Sequence, residues 1–119
     1  MNPTDLNSPL LLDEGTIAEL RDVMEDEFVD LIDSFLSDLP VQLDTLQTAI
    51  IQQSADAVYR VAHRLKSSCG TIGALRLTDE VRQLELAGRQ NSLGQAPALL
   101  DRVRAVAEET VVRLQALQE

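Results

Sequence analysis

Apolar residues recur every three or four positions through most of the chain, the spacing that gives a helix one buried stripe and one wet face. Asp13 is a good helix cap, and Ile17, Leu20, Val23 and Met24 after it predict a short first helix. Phe28, Leu31, Ile32, Phe35, Leu39, Leu43, Leu46 and Ile50 line up on a single stripe and predict a long helix over about 26–52. Pro40 interrupts it: a proline there lacks an amide donor and crowds the preceding turn, so one kinked helix and two consecutive helices both fit the pattern. Ser54 caps a third helix whose inward positions are Val58, Ala62, Leu65, Cys69 and Ile72, with Gly70 and Gly73 ending or loosening it. A fourth covers about 77–90 with Leu77, Val81, Leu84 and Gly88 inward, and "NSLG" makes the next turn. Pro97 suits the first turn of a last helix that buries Leu99, Val103, Val106, Leu114 and Leu117.

Four one-sided helices joined by short links pack most simply as an all-α, antiparallel up-down four-helix bundle, here with the short N-terminal helix capping one end. The chain of 119 residues suits one domain, and an aromatic content of only 3% agrees with aliphatic helix packing rather than strands. Pro3, Asn7, Ser8 and Pro9 make residues 1–12 a loose arm, although the leucines at 10–12 are able to pack on the domain, which then spans 13–119.

The net charge of −10 argues against a nucleic-acid partner, because affinity for a phosphate backbone comes from Lys and Arg. One cysteine excludes an internal disulfide, and one cysteine with one histidine is a poor start for a metal site. The N-terminus lacks the basic start and apolar core of a signal peptide, and nowhere do about 18 apolar residues run together. These features predict a cytoplasmic protein without membrane contact, acting as a monomer with no metal and no cofactor.

The stretch "VAHRLKSSCGTIGALRL", from Val61 to Leu77, holds the only histidine and, three positions on, the only lysine. Counting about 100° per residue from Val58 puts the core positions within roughly 40° of it and His63 near 140°. Gly70 falls at about 120°, Ser67 near 180°, and Tyr59 and Lys66 at roughly 100° and 80°, on the flank of the same face. His63 therefore projects away from the core with Lys66 one turn on, and small residues leave low ground beside it. Neutral imidazole is a nucleophile near neutral pH, and an ammonium three residues away is placed to neutralise a phosphoryl group received there. Charge is sorted along the chain in the same sense. Residues 1–59 hold thirteen acidic groups against Arg21 alone, whereas Arg60, Arg64, Lys66, Arg76, Arg82 and Arg89 face only Asp79, Glu80 and Glu85 in 60–89. A positive patch around His63 on a negative molecule favours an acidic or phosphorylated partner. Cys69 reads as a small core filler, and Asp79, Glu80 and Glu85 as helix-start charges and solvated faces.

These residues carry a resemblance. "AHRLKSSCGTIGALRL" is similar to the signature of histidine-containing phosphotransfer (HPt) domains, approximately A-H-x-L-K-G-S-[SA]-x-x-[LIFV]-G-A. Ala62, His63, Leu65, Lys66, Ser68, Ile72, Gly73 and Ala74 match in register, and the proline-bearing "FLSDLPVQLDTL" is similar to the family as well. The resemblance implies a four-helix bundle without a kinase site of its own. Its exposed histidine would carry phosphate between the receiver domain of a hybrid histidine kinase and that of a response regulator. His63 would be the phosphoacceptor and Lys66 the phosphate-stabilising cation, with Tyr59, Arg60, Arg64, Ser67, Gly70 and Glu85 on the partner-binding face. Glu85 occupies a position where several relatives have a glutamine that holds the ring; a carboxylate would orient a ring N–H well and lie near a phosphate dianion. Ser67 stands where the family usually has glycine, adding a hydroxymethyl beside the phosphoryl site. The alternative from another class is a helical adaptor that binds receiver or kinase domains without phosphotransfer.

Overall fold

The protein's computed structural model describes residues 10–118. Within them the chain is helical throughout: α1 (Glu14–Met24), α2 (Glu27–Ile51), α3 (Ala55–Thr71), α4 (Leu75–Arg89) and α5 (Ala96–Ala116). Packing runs α2 to α3 to α4 to α5 and back to α2, which is a four-helix bundle, and α1 leans on α2. Side-chain pairs fix the directions. Arg104 of α5 reaches Gln47 of α2 at 2.6 Å while Gln118 meets Asp33, and Arg102 pairs with Glu80 while Arg76 pairs with Glu109. In each case the higher number meets the lower, so α5 runs antiparallel to both α2 and α4; Gly88 beside Ala55 and Glu85 beside Lys66 show the same for α3 and α4.

The apolar stripe of α2 is buried as its spacing predicts, with Phe28, Ile32, Phe35, Leu39, Leu43, Leu46 and Ile50 inside. Pro40 does not split the helix: α2 is continuous from Glu27 to Ile51. The proline sits on the exposed side, where its missing donor costs one hydrogen bond, and the buried Leu39 and Leu43 hold the turns around it in place. Two other expectations change. Val23 of α1 is exposed, and α5 buries Leu100, Val103, Ala107, Thr110 and Leu114. Of the five residues expected inside, Val103 and Leu114 are fully buried, and Leu99, Val106 and Leu117 are half-buried and pack at the margin of the core.

α2, α3 and α4 all end in the same way. Gln53, Gly73 and Asn91 take positive φ, and the next amide bonds back to Ala49, Cys69 and Ala87, each at 2.9 Å. Gly73 is also the point where the N-terminal segment is tied down. Asp13 N–H donates to the Gly73 carbonyl at 2.8 Å, and Leu12 before it is buried in the core. Residues 10–12 are thus not a uniform arm: Leu10 is exposed and Leu12 is inside, while the rest of the expected arm, residues 1–9, lies outside the described residues.

Candidate functional site

α3 begins at Ser54, whose hydroxyl accepts from Ala57 N–H, and Asp56 in the first turn suits the positive end of the helix. Val58, Ala62, Leu65 and Cys69 go fully inside, which leaves His63 outside with its side chain 54% exposed. The direction counted from the sequence is therefore the observed one. Burial pushes the Cys69 thiol up to about 12, so it is a neutral core group and not part of the surface chemistry.

α3 and α4 approach unusually closely, and Gly88 is the reason. A Cβ on Gly88 would lie 2.6 Å from Tyr59 N and 2.8 Å from the Ala55 carbonyl oxygen, so only glycine lets the backbones come together there. One turn earlier on α4 this places Glu85 under the histidine. Glu85 Oε2 lies 2.5 Å from His63 Nδ1, and Oε1 accepts from Lys66 Nζ at 2.7 Å. The reading of Glu80 and Glu85 as solvated charges is thus corrected: both are buried, and only Asp79 of the three stays on the wet side. Burial alone would push the Glu85 carboxyl up. The hydrogen bonds and charges of Lys66 and His63 outweigh it and hold the group below its ordinary range. With Nδ1 engaged, Nε2 is the ring nitrogen without a partner among the described residues.

Tyr59 stacks on the imidazole from the preceding turn of α3, with centroids 5.8 Å apart and planes 20° from parallel. The Arg89 guanidinium also lies over the Tyr59 ring, 5.5 Å from its centroid. Ser67 turns its hydroxyl back onto the His63 carbonyl at 3.2 Å, so it lies along the helix and does not stand over the ring. A Cβ on Gly70 would meet nothing within 4 Å. Arg60 pairs with Asp56 at 3.0 Å on the exposed surface, and Arg82 with Asp79 at 2.8 Å. His63, Lys66, Glu85 and Tyr59 thus form one connected group, with Ser67 and Gly70 on open helix surface beside it and Arg60 occupied elsewhere. The sequence places Arg89 in the basic patch but not against Tyr59, since that contact depends on the α3–α4 separation that Gly88 permits.

Among the described residues no group of three or more His, Cys, Asp or Glu is placed to hold a metal ion, and no helix is long and apolar enough to cross a membrane.

The model of the Hpt domain family matches residues 30–118, which takes in α3, α4 and the whole site. Among solved structures, that of histidine-containing phosphotransfer protein B (HptB) from Pseudomonas aeruginosa PAO1 is similar, with a TM-score of 0.90 and 30% identity, covering 93% of this chain and 96% of that one. No curated protein sequence matches. The family model spans most of the chain and an exposed, carboxylate-held histidine stands inside the matched region: this protein belongs to the histidine-containing phosphotransfer (Hpt) domain family.

Proposed function

We propose that the protein is a phosphorelay intermediate that takes a phosphoryl group onto His63 from a receiver-domain aspartyl phosphate and passes it to the aspartate of a response regulator. The single observation that carries this reading is the pairing of His63 Nδ1 with the buried Glu85 carboxylate, which leaves Nε2 as the free nucleophile on an exposed ring. In the forward step the Nε2 lone pair attacks phosphorus in line. The N–P bond forms as the acyl-phosphate O–P bond breaks, and the aspartate carboxylate leaves with the electron pair. The ring keeps its Nδ1 proton, and Glu85 balances the charge gained by the imidazole. Onward transfer is the same displacement reversed on a second aspartate. Lys66 shares the Glu85 carboxylate with the acceptor ring, and it exchanges this resting partner for a phosphoryl oxygen. Tyr59 limits rotation of the ring, so part of the orientation cost is met before the partner arrives.

The test is incubation with receiver domains charged with radiolabelled phosphate. An acid-labile, alkali-stable label on the wild-type protein, absent from His63→Gln, supports the relay. A wild-type chain that binds a receiver tightly but never takes up label refutes it in favour of an adaptor.

A further inference from the structure

Glu85 joins His63 to Lys66. Its Oε2 lies 2.5 Å from His63 Nδ1, and its Oε1 accepts from Lys66 Nζ at 2.7 Å. The carboxylate is the fixed member of the three, since its side chain is 9% exposed, whereas the Lys66 ammonium ends a flexible chain that is 27% exposed. Around them Arg60 pairs with Asp56, Arg89 lies over Tyr59, and Asp38 of α2 shares a groove with Arg64. Among the described residues Glu85 is the one carboxylate within ion-pair distance of His63.

The two directions of transfer ask opposite things of the ring. Uptake needs a neutral imidazole with a lone pair on Nε2. Release needs a proton on Nδ1: the acceptor aspartate attacks phosphorus, the N–P bond breaks, and its electron pair returns to Nε2 of a neutral imidazole. A ring that had lost this proton would have to leave as imidazolate, a far poorer leaving group. An imidazolium without a partner gives up its proton near about pH 6.5, so an unsupported phosphorylated ring is mostly deprotonated by about pH 8. One carboxylate meets both demands when its charge is masked in the first state and exposed in the second. At rest Lys66 neutralises Glu85. Once the phosphoryl dianion draws Lys66 away, the whole carboxylate charge is left to the Nδ1 proton. Resting on the reading of His63 as acceptor, we infer that Lys66 and Glu85 are an exchange pair that sets the protonation of His63 in each direction. Lys66 on Glu85 keeps the ring a neutral nucleophile; Lys66 on the phosphoryl group frees Glu85 to hold the Nδ1 proton, so that imidazole leaves uncharged.

The experiment labels His63 from a receiver domain charged with radiolabelled acetyl phosphate, chosen from a panel as the fastest donor to the wild-type protein. Uptake, and release to fresh receiver, are followed from pH 6 to 8. Glu85→Gln keeps the shape of the side chain and removes its charge. The ratio of wild-type to Glu85→Gln release rates is expected to grow about tenfold from pH 6 to 8, as the variant's ring sheds its proton. Lys66→Gln leaves the carboxylate to the ring before any phosphoryl group arrives. Its uptake should therefore fall about threefold relative to wild type as pH drops from 8 to 6. Loss of packing or of ring orientation lowers a rate by one factor at every pH and cancels in the change of these ratios. Because His63 is the only histidine, its Nδ1 resonance in 15N-labelled phosphoprotein reads the proton directly. At pH 8 that resonance keeps the protonated position in the wild type and moves to that of a bare ring nitrogen in Glu85→Gln. Ratios that stay constant with pH, or a bare Nδ1 in the wild-type phosphoprotein at pH 8, overturn the inference while leaving the relay intact. A wild-type chain that accepts label from no receiver overturns the relay, and this inference with it.

Discussion

Glu85 Oε2 stands 2.5 Å from His63 Nδ1, a nearly buried carboxylate on α4 supporting a half-exposed imidazole on α3. Its second oxygen holds Lys66, so one side chain fixes both rare residues of the site. A glutamine at this place could still accept from one donor, but it would bring no charge.

The pH dependence of stability follows from that pairing. The Glu85 carboxyl is held below its ordinary range in the folded protein, burial being outweighed by Lys66 and His63. A lowered folded value means that the unfolded chain binds the proton more readily. The contribution is complete above the unfolded value of about 4.3 and is lost as pH falls through the lower folded value. Glu85→Gln is expected to cost about 1 kcal/mol near neutral pH, since both partners are partly exposed, and progressively less below about pH 4. Urea unfolding of both proteins from pH 3 to 7 checks this; a gap that stays constant across the range would contradict it.

Two glycines predict opposite signs. Gly88→Ala places a Cβ 2.6 Å from Tyr59 N and 2.9 Å from Tyr59 Cα, so α3 and α4 must separate, at a cost of about 1–3 kcal/mol. Phosphoryl transfer should fall with it, because Glu85 is carried away from His63. Gly70→Ala meets open space in an ordinary helical conformation and should stabilise by about 0.5–1 kcal/mol. Thermal melts of the two variants decide both statements.

These glycines also show how far the sequence could be read. The outward direction of His63 needed only a count of residues from Val58, because a helix converts spacing into angle. The burial of Glu85 could not be found that way. It depends on the distance between two helices, and that distance is set by one missing side chain at Gly88. Pro40 left two outcomes open because local geometry disfavours a proline in a helix, while the packing of Leu39 and Leu43 decides the matter from outside the local segment. The stripe of α5 is legible in part: Val103 and Leu114 are fully buried as their spacing predicts, whereas the small Ala107 and polar Thr110 give no apolar signal, and Leu99, Val106 and Leu117 pack at the margin of the core.

Cys69 gives a probe of global stability. Burial raises its thiol from 9.0 to about 12, and the residue is fully buried. Native protein at pH 8 should react with an aromatic disulfide reagent only through unfolding, at a rate that rises steeply with denaturant. Because the folded value is the higher one, stability is undiminished below about pH 9 and falls as pH rises toward 12; Cys69→Ala should flatten that decline. Fast stoichiometric labelling of the folded protein would show that the cysteine is accessible after all.

Tyr59 separates the stacking contribution from everything else at the site. Its ring lies nearly parallel to the imidazole at 5.8 Å, and the Arg89 guanidinium also lies over it. Phenylalanine keeps the flat apolar face and loses only the hydroxyl, so Tyr59→Phe should transfer phosphoryl groups within about twofold of wild type. Tyr59→Ala removes the wall against which His63 rests. The ring then samples rotamers in which Nδ1 leaves Glu85, and the ordering lost must be recovered in each encounter, slowing transfer about five- to tenfold. Stability alone would not produce this pattern, because the rates are compared at temperatures where both variants are folded. Equal rates for the two variants would mean that Glu85 orients the imidazole without help from the stack.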